Sequence, residues 1–147
     1  IELGYNYRMT DMQAALGVSQ FKKINNNISR RHEIADRYNK LLADFPLTLP
    51  YQSADGYSAF HLYIIRLKNR NKHKHKQIFD TLRNKGIGVN LHYIPLYRQP
   101  YYQFNDSNYN NFPESESYYS EAITIPLYPT MSNQDQDIVI QAIKESL

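Results

Sequence analysis

Two clusters of side chains in this sequence have the donors, rings and spacing to bind something. The first, Gly4-Tyr5-Asn6-Tyr7-Arg8, stands just before an expected helix start. There an Asn amide, an Arg fork and the free N–H groups of a first helical turn converge within a few residues, a combination suited to phosphate. The same residues also read as a capped turn with Arg8 in a structural ion pair. The second cluster, Asn90-Leu91-His92-Tyr93-Ile94-Pro95, falls at the end of an expected strand. His92 and Tyr93 can bind a ligand there or serve as acid and base, and His92 reads equally as a satisfied structural residue. Tyr97, Tyr101 and Tyr102 follow in a loop whose rings can stack on sugars or bases or simply pack as a lid.

Other chemistries are closed. The chain has no Cys, which removes disulfides, thiolate nucleophiles and sulfur-ligated metals and is compatible with a cytoplasmic protein, the location expected. All five Gly are isolated, so no Gly-rich phosphate loop exists, and neither a Ser-His-Asp set nor an HExxH pattern is present. Residues 1 to 98 hold 16 of the 17 Lys and Arg against 7 acids, whereas 99 to 147 hold only Lys144 against 7 acids. The densest basic stretch, Arg66 to Lys85 with Lys72-His73-Lys74-His75-Lys76 at its centre, is expected to be a solvated loop and exposed first helical turn. Neither a nucleic-acid patch nor a metal tract is expected there, because no acid or Cys completes a site.

With 147 residues, 41% hydrophobic, 14 Tyr and 6 Phe, the chain is long enough for one core and too apolar for disorder. No apolar run approaches the roughly 20 residues of a membrane helix. The opening Ile1-Glu2-Leu3-Gly4 has neither a Met nor a signal-peptide pattern, and a piece of a longer protein is expected.

The elements that must position the two clusters follow from periodicity. Thr10-Asp11-Met12-Gln13 fits a capping box and predicts a helix from there, with Ala14, Gly17, Phe21, Ile24 and Ile28 on one stripe. Asn25-Asn26-Asn27 should interrupt or kink it, and Ala35, Tyr38, Leu42 and Phe45 resume the stripe up to Pro46. Alternation predicts strands over Tyr57 to Leu67, Ile87 to Tyr93 and Ile123 to Leu127. In the second of these, Gly88, Asn90 and His92 share an open polar face. Helices are expected over Lys76 to Lys85 with Gly86 as an αL cap, from Pro113 to about Ala122, and after the cap Ser132-Asn133-Gln134-Asp135. The fold class is therefore α/β, an α+β small domain of about three strands with helices on one face. The first helix has more apolar stripe than such a sheet can cover.

Four ordered blocks then carry a resemblance: GYNYRMTDMQAALGVSQFKKI, SAFHLYIIRL, GIGVNLHYIPLYRQPYY and YYSEAITIPLYPTMSNQDQDIVI. In this order they resemble the carboxy-terminal part of the DegT/DnrJ/EryC1/StrS sugar aminotransferases over nearly the whole chain. The pairing of HLY with HYIPLY and PYY is most similar to the UDP-4-amino-4,6-dideoxy-N-acetyl-β-L-altrosamine transaminases of pseudaminic acid synthesis. The resemblance implies the carboxy-terminal domain of a fold type I enzyme, with residues 1–45 a helical interdomain segment and 46–147 the small α/β domain. It implies pyridoxal 5′-phosphate as cofactor, glutamate and a UDP-linked 4-keto deoxysugar as substrates, and a homodimer with a shared active site. It places Asn6 at the cofactor phosphate of the neighbouring subunit, Arg8 near phosphates, and His92 and Tyr93 at the sugar. Tyr97 stands where some relatives have His, so no role carries over to it. The Lys that holds the cofactor lies upstream of these blocks in the family, so this chain is expected to contain no catalytic residue and to be inactive alone. The alternatives are a family dehydratase, in which His replaces that Lys, and a non-catalytic sugar-binding or dimerisation module.

Overall fold

Local chemistry sets the ends of most helices. In the computed structural model, which describes residues 2–68, 72–105 and 111–147, helix α1 (Asp11–Phe21) starts at the capping box expected for it. Thr10 Oγ1 accepts from Gln13 N–H, and Gln13 Oε1 accepts from Thr10 N–H at 2.9 Å. The break before α2 (Ile24–Leu41) comes at Lys22-Lys23, earlier than the Asn run predicts. Asn25 and Asn26 instead fall in the first turn of α2, where N–H groups lack intrahelical acceptors and a competing polar side chain does least harm, and Asn27 N–H donates to the Lys23 carbonyl at 3.0 Å. Helix α3 (Lys72–Asn84) ends in a Schellman cap: Gly86, at φ +79°, donates to Arg83 and Ile87 donates to Leu82. Helix α4 (Pro113–Glu121) takes Pro113 in its first turn, and α5 (Asn133–Ser146) starts at a reciprocal Ser132–Asp135 box.

The sheet has three strands, antiparallel, in the order β1 (Leu47–Thr48), β2 (Tyr63–Leu67), β3 (Ala122–Ile125). Three strands were expected, but their membership differs. β1 is new. The strand expected from Tyr57 starts only at Tyr63, because Phe60 lies in the left-handed region at φ +43° and turns the chain. Arg31 holds that turn, its Nη1 donating to the carbonyls of Phe60 (2.9 Å) and Leu127 (3.2 Å). The expected strand Ile87–Tyr93 is reduced to one bridge, Asn90 to Thr124. Its backbone groups are used locally instead: Val89 N–H donates to Ile87 and Leu91 N–H to the Asn90 side chain.

One face of β2, Tyr63, Ile65 and Leu67, is buried against Ile34, Tyr38 and Leu42 of α2, Ile78 and Leu82 of α3, and Val139 and Ile143 of α5. Polar atoms inside this core are matched: Tyr38 Oη donates to the Pro126 carbonyl at 2.9 Å and Tyr63 Oη to Asn39 at 2.6 Å. The other face of β2 carries Ile64 and Arg66, which pair with Thr124 and Ala122 of β3. Helix α1 is different, since none of its residues is buried. Among the described residues no helix is long and apolar enough to cross a membrane. Of the sequence features singled out above, Ile1, residues 69–71 of the basic stretch and 106–110 of the tyrosine loop lie outside the described residues. Within the basic stretch α3 begins at Lys72, and His75 Nε2 lies 3.0 Å from the Ala122 carbonyl, tying the helix to β3.

Candidate functional site

β3 positions the His92 cluster. Alternation along Ala122–Ile125 turns Ile123 and Ile125 into the core and leaves Thr124 on the opposite face beside Ile64. The backbone of Thr124 exchanges both hydrogen bonds with Asn90, at 3.1 and 2.9 Å, which brings the segment carrying His92 alongside the sheet edge. His92 Nδ1 then lies 2.9 Å from Thr124 Oγ1, and Asn90 Nδ2 lies 3.4 Å from His92 Nε2. The ring of Tyr93 meets that of His92 edge-on, with centroids 4.6 Å apart, and the His92–Tyr93 peptide is cis. His92 is half-buried and Tyr93 is 73% exposed, so the pair is anchored on one side and open on the other.

The tyrosine loop beyond it is tied down more firmly than its composition suggests. Leu96–Arg98 and Pro100–Asn105 form short 3₁₀ turns. Glu116 of α4 accepts from Tyr97 Oη at 3.0 Å and from Arg98 Nε at 2.7 Å, and Arg98 Nη2 closes on its second oxygen. Tyr97 also stacks on Phe112, with centroids 4.5 Å apart. Tyr97 is thus a structural anchor here, whereas Tyr101 and Tyr102 meet edge-on and stay exposed. Deeper on the same sheet face, Arg66 places Nε and Nη2 at 3.0 and 2.7 Å from one oxygen of Glu121, and its guanidinium lies over the Tyr118 ring. Burial pushes the Tyr118 hydroxyl above its ordinary pKa, with Arg66 pulling it back.

The other cluster lies apart. Residues 2–10 run exposed and without regular structure into α1, with Asn6 in the left-handed region at φ +57° and its carbonyl accepting from Arg8 N–H at 2.8 Å. The capping box takes up the N–H groups of Thr10 and Gln13, and Asp11 puts a carboxylate into the first turn. The anion-binding capacity of this helix start is therefore narrower than its sequence suggests, and rests on the Asn6 amide and the Arg8 guanidinium. Neither side chain has a hydrogen-bond partner among the described residues, and both project from the chain, which fits a phosphate offered from outside it. The structure brings His92 and Tyr93 together but does not bring Asn6 or Arg8 to them. A cleft of about 470 Å3 lined by Gly86, Gly88, Tyr128 and Met131 includes none of the four.

Thr124 and Glu116 are residues that sequence reasoning passed over. For Thr124 the signal was present, a lone polar residue between Ile123 and Ile125. For Glu116 there was none, because its partners come from a loop without a period.

The model of the DegT/DnrJ/EryC1/StrS aminotransferase family matches residues 1–144. The chain belongs to this family. Within it, the chain is 36% identical to the spore coat polysaccharide biosynthesis protein SpsC of Bacillus subtilis, over 97% of this chain and 38% of that protein. It is 33% identical to the UDP-4-amino-4,6-dideoxy-N-acetyl-β-L-altrosamine transaminase of Campylobacter jejuni, over 95% of this chain and 37% of that one. Among solved structures, PseC of Helicobacter pylori, an aminotransferase of pseudaminic acid biosynthesis, superposes with a TM-score of 0.90 at 26% identity, covering 99% of this chain and 39% of PseC. The sugar aminotransferase Spr1654 of Streptococcus pneumoniae superposes with a TM-score of 0.89 at 28% identity, covering 95% of this chain and 35% of its own. The chain therefore spans under two-fifths of the length of these family members. Spr1654 is solved in pyridoxal phosphate and pyridoxamine phosphate forms, and pyridoxal phosphate is the cofactor these relatives indicate for the family. The small α+β fold seen here is the fold of the matching part of these aminotransferases.

Proposed function

We propose that this chain is the carboxy-terminal part of an enzyme that moves an amino group from glutamate to the 4-keto carbon of a UDP-linked deoxysugar. The observation that carries the reading is the ordered match along residues 1–144, together with His92 and Tyr93 anchored at an open polar edge. Residues 46–147 act as the small domain and α1 as the interdomain helix. The absence of any buried residue on α1 supports this, since an apolar stripe that this chain leaves uncovered suits a larger domain or a neighbouring subunit.

Pyridoxal phosphate, when bound, supplies the electron sink for amino transfer. The residues here hold and orient. Asn6 donates its amide to the cofactor phosphate of the neighbouring subunit in a cytoplasmic homodimer, and Arg8 adds a charged fork toward phosphate oxygens. His92 and Tyr93 face the sugar: His92 accepts from a sugar hydroxyl through Nε2, and Tyr93 offers a ring face and a hydroxyl. None of the Lys residues of this chain is assigned the covalent role. No nucleic acid or membrane partner is part of the reading.

The experiment is spectroscopic. Full-length protein should absorb in the visible through bound pyridoxal phosphate and lose that band on adding glutamate, while the isolated chain should show no band. A full-length protein that binds no cofactor would overturn the reading.

A further inference from the structure

We infer that Thr124 is the positioning residue for His92, holding the imidazole in one tautomer so that Nε2 meets the sugar as an acceptor. The inference rests on the reading of His92 as a sugar-facing residue and assigns it a mechanism. Thr124 is 7% exposed and sits inside a four-residue strand bonded on both sides, to Ile64 of β2 and to the Asn90 backbone. A β-branched residue in such a frame has little freedom at χ1, so its hydroxyl is fixed where Nδ1 meets it at 2.9 Å.

The direction of that bond follows from a neighbour. Asn90 Oδ1 accepts from Leu91 N–H at 2.8 Å, which leaves Nδ2, a donor, facing His92 Nε2. A ring nitrogen that faces a donor is favoured as the acceptor. The proton then belongs on Nδ1, which donates it to Thr124 Oγ1. With Tyr93 against its edge, the ring is held on three sides. The Asn90 contact to Nε2 is long, at 3.4 Å, so a substrate hydroxyl or amide N–H that displaces it finds the Nε2 lone pair as its acceptor. A valine at position 124 has the same shape but accepts nothing, so the Nδ1–H tautomer keeps only the long Asn90 contact in its favour and the Nε2–H tautomer gains population.

The test uses full-length holoenzyme with Thr124→Val and Thr124→Ser. Nitrogen-15 histidine spectra, with His92 assigned by its loss in His92→Gln, should show the Nδ1–H tautomer in wild type and Thr124→Ser and a mixture in Thr124→Val. Loss of the visible cofactor band on adding UDP-4-amino-4,6-dideoxy-N-acetyl-β-L-altrosamine should need about tenfold more sugar nucleotide in Thr124→Val, the loss of one modest hydrogen bond, with Thr124→Ser restoring it. Loss of the band on adding glutamate, which carries no sugar for His92 to contact, should stay within about twofold in all three, whereas a general loss of structure would slow both halves. Finding the Nε2–H tautomer in wild type overturns the inference even if Thr124→Val does not fold, and so does an unchanged sugar dependence in a folded Thr124→Val. The spectra do not depend on turnover, so an enzyme unresponsive to glutamate would sink the aminotransferase reading while the tautomer still decides the role of Thr124.

Discussion

Arg66 and Glu121 meet through two guanidinium nitrogens on one carboxylate oxygen, 3.0 and 2.7 Å away, but they are unequally buried: the Arg66 side chain is 36% exposed and that of Glu121 only 7%. Arg66 stands opposite Ala122, two residues from Thr124 and on the same face of the sheet, so this pair braces the strand that carries the His92 anchor.

The unequal burial gives an unequal cost of removal. Arg66→Met removes the charged partner of a buried carboxylate, which keeps the neutral Ser117 hydroxyl at 2.8 Å, and should cost about 3 kcal/mol. Glu121→Gln leaves an arginine that can turn outward, and should cost about 1 kcal/mol. Urea unfolding of the two variants checks the order, and equal or reversed losses would refute it.

Glu116 should matter to the loop and Tyr97 little to the substrate. Tyr97→Phe keeps the stack on Phe112 and loses one hydroxyl, so the KM for sugar nucleotide should stay within about twofold. Glu116→Ala removes the hydrogen bonds that tie Tyr97 and Arg98 to α4 and leaves them the rings of Phe112 and Tyr119. Amide exchange over 96–102 should then quicken by about tenfold or more, measured by hydrogen–deuterium exchange.

Alkaline pH should destabilise the fold through two core tyrosines. Burial pushes the hydroxyls of Tyr38 and Tyr63 well above the ordinary tyrosine range, helped by each other's proximity for Tyr38 and by Asp36 for Tyr63. Above the unfolded tyrosine pKa near 10 the unfolded state loses protons that the native state keeps. The stabilisation is therefore complete below about pH 10 and falls as pH rises further, by about 1.4 kcal/mol per unit for each tyrosine. Unfolding followed between pH 9 and about 12 checks this. Tyr63→Phe, which also gives up the bond to Asn39, should flatten the slope by one tyrosine's share, and an unchanged slope would contradict the assignment.

Features written into a few adjacent residues were legible in the sequence. The Thr10–Gln13 and Ser132–Asp135 boxes and the left-handed Gly86 need only their neighbours, and they stand where expected. β1 was not legible: its two residues lie between Pro46 and Pro50, and only the distant Leu67 and Arg66 make them a strand. The strand expected over Ile87–Tyr93 failed for the opposite reason. Its alternation is real, since Ile87 and Val89 are buried, but Asn90 and Ile87 satisfy neighbouring N–H groups locally and a four-residue β3 offers a single bridge. At the site, His92 and Tyr93 stood out as a motif. Their anchor Thr124 lies 32 residues away in sequence, and only the fold makes it a neighbour.

Asn6 carries the proposed contact with the cofactor phosphate, and its backbone complicates the obvious variant. At φ +57° Ala is strained, whereas Gly removes the amide and suits the conformation. Asn6→Gly and Asn6→Ala should both weaken pyridoxal phosphate retention in the full-length dimer, by about tenfold or more for a bond to a charged group. Retention unchanged in Asn6→Gly would assign the residue a purely conformational role.

An enzyme that exchanges amino groups between glutamate and a nucleotide-linked sugar, as proposed for the protein this chain belongs to, must cycle its cofactor between two forms. The most direct measurement is the visible spectrum of the full-length protein in two steps. Glutamate should abolish the pyridoxal phosphate band with release of one 2-oxoglutarate per site, and a UDP-linked 4-keto-6-deoxysugar added after its removal should bring the band back. A band that glutamate leaves untouched, or that the keto sugar fails to restore, would rule out amino transfer between these two substrates.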